Sequence, residues 1–96
     1  MSALTLTSSR QHPLRPLIEA AIQNELRLLE AGIRRTKERL EDFEEKHGLD
    51  TQEFLRRYET DELPETLEFA EWIGEYHLLK RLREKAETLQ EIRFAN

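Results

Sequence analysis

Mostly apolar residues recur at alternating intervals of four and three between residues 22 and 47. The first seam consists of Ile22, Leu26, Leu29, Ile33, Thr36, Leu40, Phe43 and His47. This alternation places the side chains on one face of an α-helix and is typical of coiled coils. The pattern therefore predicts one long helix over residues 14–47, on the order of 50 Å in length.

A second seam follows in the last third of the chain. It consists of Trp72, Leu79, Leu82, Ala86 and Leu89, flanked by Tyr76, Leu78 and Ile92. These residues predict a second long helix over residues 65–93, with Pro64 favourable in its first turn. The connection between the two seams is long enough for the helices to fold back on each other in antiparallel fashion. In that arrangement Trp72 would anchor the last helix against the first.

A short helix over residues 51–58 is predicted between the two seams. Gly48 suits the left-handed position that ends a helix. Asp50 followed by Glu53 resembles a capping box at the start of the next one. The predicted fold class is thus all-α, a long antiparallel helical hairpin (coiled-coil-like) with a short connecting helix.

The chain is expected to form one domain, residues 14–96, preceded by a flexible leader over residues 1–13. Only 38% of its 96 residues are hydrophobic and 36% are charged. Few residues are therefore available for a hydrophobic core in a chain of this size. Two apolar seams on such long helices favour a homodimer or a larger assembly. The oligomer interface is predicted at Leu26, Leu29, Ile33 and Leu40.

Charge and composition exclude some classes of function and disfavour others. The net charge is −5 and there is no cysteine, so thiol chemistry and thiolate metal sites are excluded. An acidic surface disfavours nucleic acid and anionic membranes and favours basic protein partners. Neither a signal-peptide pattern nor a run of apolar residues long enough for a membrane span is present, and a cytoplasmic protein is expected.

The residue pattern predicts neither a catalytic site nor a metal site. Glu44 and His47 have the Glu-x-x-His spacing of di-iron bundles, but the position three residues before His77 is Gly74. His47 is instead predicted in an exposed last helical turn, where a cation suits the helix dipole. We therefore predict a non-enzyme without catalytic residues, cofactor or metal.

One acidic stretch is only partly explained by local structure, because Glu65 and Glu68 suit a helix N-terminus whereas Glu71 and Glu75 lie further in. Residues 59–75 contain seven acidic side chains and no basic one. Glu68, Glu71 and Glu75 would stack on one helix face, which is mildly destabilising unless a basic partner is near. Gly74 lies among them at a cost of roughly 0.8–1 kcal/mol relative to Ala. Either another part of the chain approaches closely there, or a partner does.

Residues 22–93 also carry a resemblance to a known group. A long helix ending in "FEEKHG", a "QEF" segment and the stretch "EWIG" resemble small helical prokaryotic antitoxins of the TumA type, which pair with TumE toxins. The residues that match are Phe43, Lys46, His47, Gly48, Glu53, Phe54, Glu71, Trp72 and Gly74. The resemblance implies a toxin partner encoded by the neighbouring gene. Many antitoxins carry a DNA-binding domain, for which residues 1–13 are too short.

These observations predict a non-catalytic protein-binding module, the antitoxin of a type II toxin–antitoxin pair that neutralises a basic cognate toxin by direct binding. The predicted partner-binding residues are Glu68, Glu71, Trp72, Gly74 and Glu75. Two alternatives remain: a coiled-coil adaptor or dimerisation protein unrelated to toxins, and a DNA-associated regulator, which the interleaved acidic residues disfavour.

Overall fold

The computed structural model describes residues 3–4 and 14–94 and shows an all-α hairpin. Its helices are α1 (Leu14–His47), α2 (Thr51–Glu59) and α3 (Leu67–Gln90). The long helices α1 and α3 pack against each other in antiparallel fashion, and α2 lies between them in the chain. The molecule measures 61 × 21 × 18 Å, so it is a rod rather than a sphere.

The predicted helix boundaries hold for α1 and within a residue for α2, whereas α3 is shorter than predicted. Thr66 is the N-cap residue of α3, because its hydroxyl accepts a hydrogen bond from the Phe69 N–H at 3.1 Å. Pro64 consequently lies before the helix and not in its first turn. At the other end α3 stops at Gln90, so Ile92 lies beyond the helix and does not flank its seam.

A two-residue pairing follows the end of α3. Arg93–Phe94 (β2) runs parallel to Ala3–Leu4 (β1), in the register Ala3↔Arg93 and Leu4↔Phe94. The remainder of the predicted leader, residues 1–2 and 5–13, lies outside the described residues.

The first seam forms the inner face of α1. Leu26 and Leu29 are buried together with Ala86 of α3, whereas Leu40 is buried with Trp72 and Leu79. The predicted oligomer interface at Leu26, Leu29, Ile33 and Leu40 is therefore wrong. Ile33 packs against both buried clusters. The physical reason is that α3 folds back and covers this seam within the same chain.

Two separate hydrophobic clusters make up the core. The aromatic cluster contains Leu40, Phe54, Trp72 and Leu79, and the aliphatic cluster contains Leu26, Leu29 and Ala86. In the sequence of α1, Thr36 lies between the two, only 2% exposed. Its hydroxyl donates to the Gly32 carbonyl oxygen at 2.8 Å, which satisfies the buried donor within its own helix.

The elongated shape leaves much of the chain at the surface. The radius of gyration is 19.2 Å, against about 12–13 Å for a compact globular domain of this length. None of the helices in the described part of the chain combines the length and the apolar character needed to cross a lipid bilayer.

Candidate protein-binding surface

Trp72 fixes the arrangement of all three helices at the hairpin's closed end. Its indole stacks on Phe54 of α2, with ring centroids 3.8 Å apart and an interplanar angle of 1°. It also stacks on Phe43 and His47 of α1, each at 5.5 Å. Trp72 is fully buried, so the prediction that it binds a partner directly is wrong. The prediction that it anchors α3 against α1 is confirmed.

A buried polar bond sets the position of α2. The indole N–H of Trp72 donates to the Thr51 hydroxyl oxygen at 3.1 Å, and both groups are buried. The Glu44 carboxylate of α1 accepts from the Thr51 backbone N–H at 2.8 Å. These two bonds tie the first residue of α2 to both long helices.

The predicted turn between α1 and α2 is present, together with the Asp50 half of the predicted capping box. Gly48 adopts φ +60°, the left-handed conformation predicted for the end of a helix. The Asp50 carboxylate accepts from the Glu53 N–H at 2.8 Å. The Glu53 side chain is bound to Arg56 and Arg57. Hydrogen bonds from these two arginines, chiefly Arg56, lower the pKa of Glu53 to about 2.

Two of the predicted partner-binding acids form ion pairs with α1. Glu68 binds Lys46 and lies 2.7 Å from Nε2 of His47, whereas Glu75 binds Arg39 at 3.1 Å. The hydrogen bond from Lys46, followed by that from His47, lowers the pKa of Glu68. The negative charge of the three stacked acids, for which the sequence indicated no basic partner, is thus largely neutralised within the hairpin.

The environment of His47 differs from the predicted one. Its side chain is only 24% exposed, because it lies between the Glu68 carboxylate and the aromatic rings of Phe69 and Trp72. An exposed last-turn histidine was therefore the wrong expectation. No cluster of three or more potential ligand side chains that could hold a metal ion occurs among residues 3–4 and 14–94.

Glu71 and Gly74 remain open to solvent. Both are exposed, and a Cβ built on Gly74 would have no atom within 4 Å. No segment of the described chain approaches Gly74, so the first of the two explanations for this glycine is excluded there. Leu67, one turn before Glu71, is 77% exposed.

A shallow cleft runs between α1 and α3 beside these residues. It has a volume of about 390 Å³ and is lined by Arg39, Asp42, Phe43, Lys46, Glu68, Glu71 and Glu75. The second carboxylate oxygen of Glu75 is buried and has no hydrogen-bond partner among the residues described. The lining therefore combines ion pairs within the chain with the exposed carboxylates of Asp42 and Glu71.

Charge is distributed unevenly along the rod. Residues 36–75, here called the acidic end, contain 14 acidic and five basic side chains, a net charge of −9. Residues 14–35 and 76–94, here called the basic end, contain six acidic and nine basic side chains, a net charge of +3. The acidic end contains the aromatic cluster and α2, and the basic end contains the aliphatic cluster.

Comparisons with models of known protein families, with curated proteins and with solved structures find no match to this chain.

Proposed function

We propose that this chain is a non-catalytic protein-binding module whose acidic end binds a basic protein. The observation that carries this proposal is the segregation of charge, −9 at one end of a 61 Å rod and +3 at the other. A field of one sign concentrated at one end steers an oppositely charged partner to that end and discriminates against acidic proteins.

The rigid construction of the acidic end supports the same proposal. Stacking of Trp72 on Phe54 and Phe43 holds three helices together, and the Trp72–Thr51 bond fixes the start of α2. A surface held in this way loses little conformational freedom when a partner binds, which favours affinity.

Three carboxyl groups of the acidic end have shifted pKa values, and none of these shifts suits acid catalysis. The pKa values of Glu53, Glu62 and Glu68 are all lowered, by Arg56, by the Thr60 hydroxyl and by Lys46 respectively as the main causes. A general acid at neutral pH needs a raised carboxyl pKa. These three groups are instead held in the ionised form by hydrogen-bond donors of the same chain.

The specific form of the proposal is an antitoxin that neutralises a cognate toxin by stoichiometric binding in the cytoplasm. It is motivated by the resemblance to TumA-type antitoxins over residues 22–93. The acidic end suits a small basic toxin, and the expected source of that toxin is the neighbouring gene. Binding alone would block the toxin, so no chemistry is required of this chain.

The test is binding of the protein encoded by the neighbouring gene, with three exposed acids of the acidic end reversed. The variant Glu45→Lys, Glu59→Lys, Glu65→Lys should slow association by about tenfold or more at low ionic strength. Its association should also respond less to salt, because the attraction is screened. Stopped-flow or surface binding kinetics at two salt concentrations measure both effects.

A matched control changes the net charge equally at the other end. The variant Glu30→Lys, Glu84→Lys, Glu87→Lys should leave association nearly unchanged. Equal slowing by both triple variants would show that only the net charge matters, and the acidic end would lose its assigned role. Absence of any complex between the two wild-type proteins would contradict the antitoxin proposal.

A second candidate function is a coiled-coil adaptor or dimerisation module unrelated to toxins. It is favoured by the exposed Leu67 and the open Gly74 on the outer surface of α3, which suit packing against another helix. The neighbouring gene discriminates the two functions: an adaptor would not bind its product.

A further inference from the structure

The outer surface of α3 carries a heptad pattern of its own. Its members alternate at intervals of four and three and lie on a different face of α3 from the buried seam: Leu67, Glu71, Gly74, Leu78, Arg81 and Lys85. This face borders α1, because Glu71 lines one cleft between α1 and α3, and Arg81 and Lys85 line another. We call this set the outer stripe. All are exposed except Leu78, which is half-buried. In the part of the chain that the structure describes, the side chains of Glu71, Arg81 and Lys85 make no hydrogen bond or ion pair.

The outer stripe is complementary to its own reversed copy. Glu71 lies seven residues before Leu78, and Lys85 lies seven residues after it. Gly74 lies four residues before Leu78, and Arg81 lies three residues after it. Reversal of the stripe about Leu78 therefore places Glu71 opposite Lys85, an acid opposite a base. It also places Gly74, which has no side chain, opposite Arg81, which has one of the longest.

We propose that α3 pairs with α3 of a second copy of this chain, in antiparallel orientation about a two-fold axis at Leu78. Two symmetric ion pairs would then form, each between Glu71 and the partner's Lys85. Leu78 would pack on its own symmetry mate. Gly74 would leave room for the partner's Arg81. Such an interface is isologous, with the same surface patch used on both subunits.

Charge selects this orientation over the parallel one. In a parallel pair Glu71 would face the partner's Glu71, and Lys85 would face the partner's Lys85, both of which are repulsive. The antiparallel pair also places the acidic end of each rod toward the basic end of the other. The second copy thus supplies the basic residues that Glu71 lacks within its own chain, and it accounts for the glycine at position 74.

Dimerisation and toxin binding are tested on different residues. Glu45, Glu59 and Glu65, the residues reversed to test toxin binding, do not belong to the outer stripe. Dimerisation can therefore fail while toxin binding stands, and the converse also holds.

The absence of cysteine from the sequence makes disulfide trapping a sharp test. In Leu78→Cys the two introduced thiols would meet at the two-fold axis, where helix-to-helix packing brings Cα atoms near the roughly 4.4–6.8 Å that a disulfide needs. Mild oxidation of the full chain should give a covalent dimer. The matched control Glu87→Cys, on the other side of the same helix, should give far less. Equal yields from both variants would overturn the proposal.

Charge reversal tests the orientation. Sedimentation velocity should show a wild-type dimer, which Glu71→Lys or Lys85→Glu weakens by about tenfold or more, since both symmetric pairs become repulsive. The double variant Glu71→Lys, Lys85→Glu should restore the dimer, and the control Glu87→Lys should leave it unchanged. Circular dichroism verifies that each variant remains helical. A monomeric wild-type chain, or a double variant no tighter than the single ones, would overturn the proposal.

Discussion

The acidic and basic ends are built from the same pair of helices but are held together by different interactions. At the acidic end, four aromatic rings and the His47 ring surround one site, and a buried hydrogen bond joins Trp72 to Thr51. At the basic end, Leu26 and Leu29 pack on Ala86 without any polar bond among them. The difference is one of geometric specificity, because stacking and hydrogen bonds depend on direction whereas aliphatic packing does not.

This contrast predicts different sensitivity to mutation. A leucine seam tolerates exchange among residues of similar volume. The aromatic cluster determines where α2 lies and consequently the shape of the acidic surface. Stability at the acidic end should therefore be coupled to partner binding, whereas stability at the basic end should not.

The largest expected effect is that of Trp72→Ala. Removal of a fully buried indole should lower the free energy of unfolding by about 3–5 kcal/mol. Leu29→Ala at the basic end should cost about 2–3 kcal/mol, the lower part of the range for leucine, since fewer neighbours surround it. Chemical denaturation of both variants measures the difference. Equal losses would contradict the idea that the aromatic cluster is the more specifically packed of the two.

The two buried threonines provide the next comparison. Thr51→Val leaves the Trp72 N–H without its acceptor and should cost about 1–3 kcal/mol. In Thr36→Val only a hydroxyl that bonds to its own helix is lost, so the change should be close to neutral. Denaturant unfolding of the two isosteric variants separates them. A large loss for Thr36→Val would indicate that its hydroxyl has a further role in joining the clusters.

Much of the fold was predictable from periodicity. The spacing of four and three identified the inner faces of α1 and α3, and Gly48 marked the end of α1 where φ is +60°. Those features depend on residues close together in sequence. The hairpin was predicted, but the first seam was also assigned to an oligomer interface, because an apolar stripe has the same pattern whether it is covered by the same chain or by another.

The candidate surface was predicted less completely. The run of acids between residues 59 and 75 was recognised, but its cations Arg39 and Lys46 are 36 and 22 residues away from Glu75 and Glu68. The antiparallel pairing of α1 with α3 brings them together, and no local spacing encodes that register. The outer stripe, by contrast, depends only on spacings within α3, where it forms a heptad pattern separate from that of the buried seam.

Two glycines sharpen the comparison further. Gly74→Ala should stabilise the free chain by about 0.8–1 kcal/mol, because the added Cβ meets no atom within 4 Å. It should also weaken the antiparallel dimer by restricting the space for the partner's Arg81. Gly48→Ala should destabilise the chain by roughly 1–2 kcal/mol, since its φ is left-handed. Thermal melts at low protein concentration give both signs. Destabilisation by Gly74→Ala would show that the chain itself occupies this space.

The smallest expected effect concerns the ion pairs of the acidic end. Lys46, and then His47, lower the pKa of Glu68. The ionised carboxylate is therefore more stable in the folded state than in the unfolded one, and it contributes to the free energy of unfolding. That contribution is fully present above the ordinary glutamate pKa of about 4.3. It is lost as the pH falls through the lower pKa of the folded state. Glu68→Gln should therefore melt slightly below wild type at neutral pH, and the gap should close on acidification. The control Glu87→Gln should show no such gap. A gap that persists at the lowest pH would mean that Glu68 stabilises the chain by packing, with the charge of Lys46 irrelevant to it.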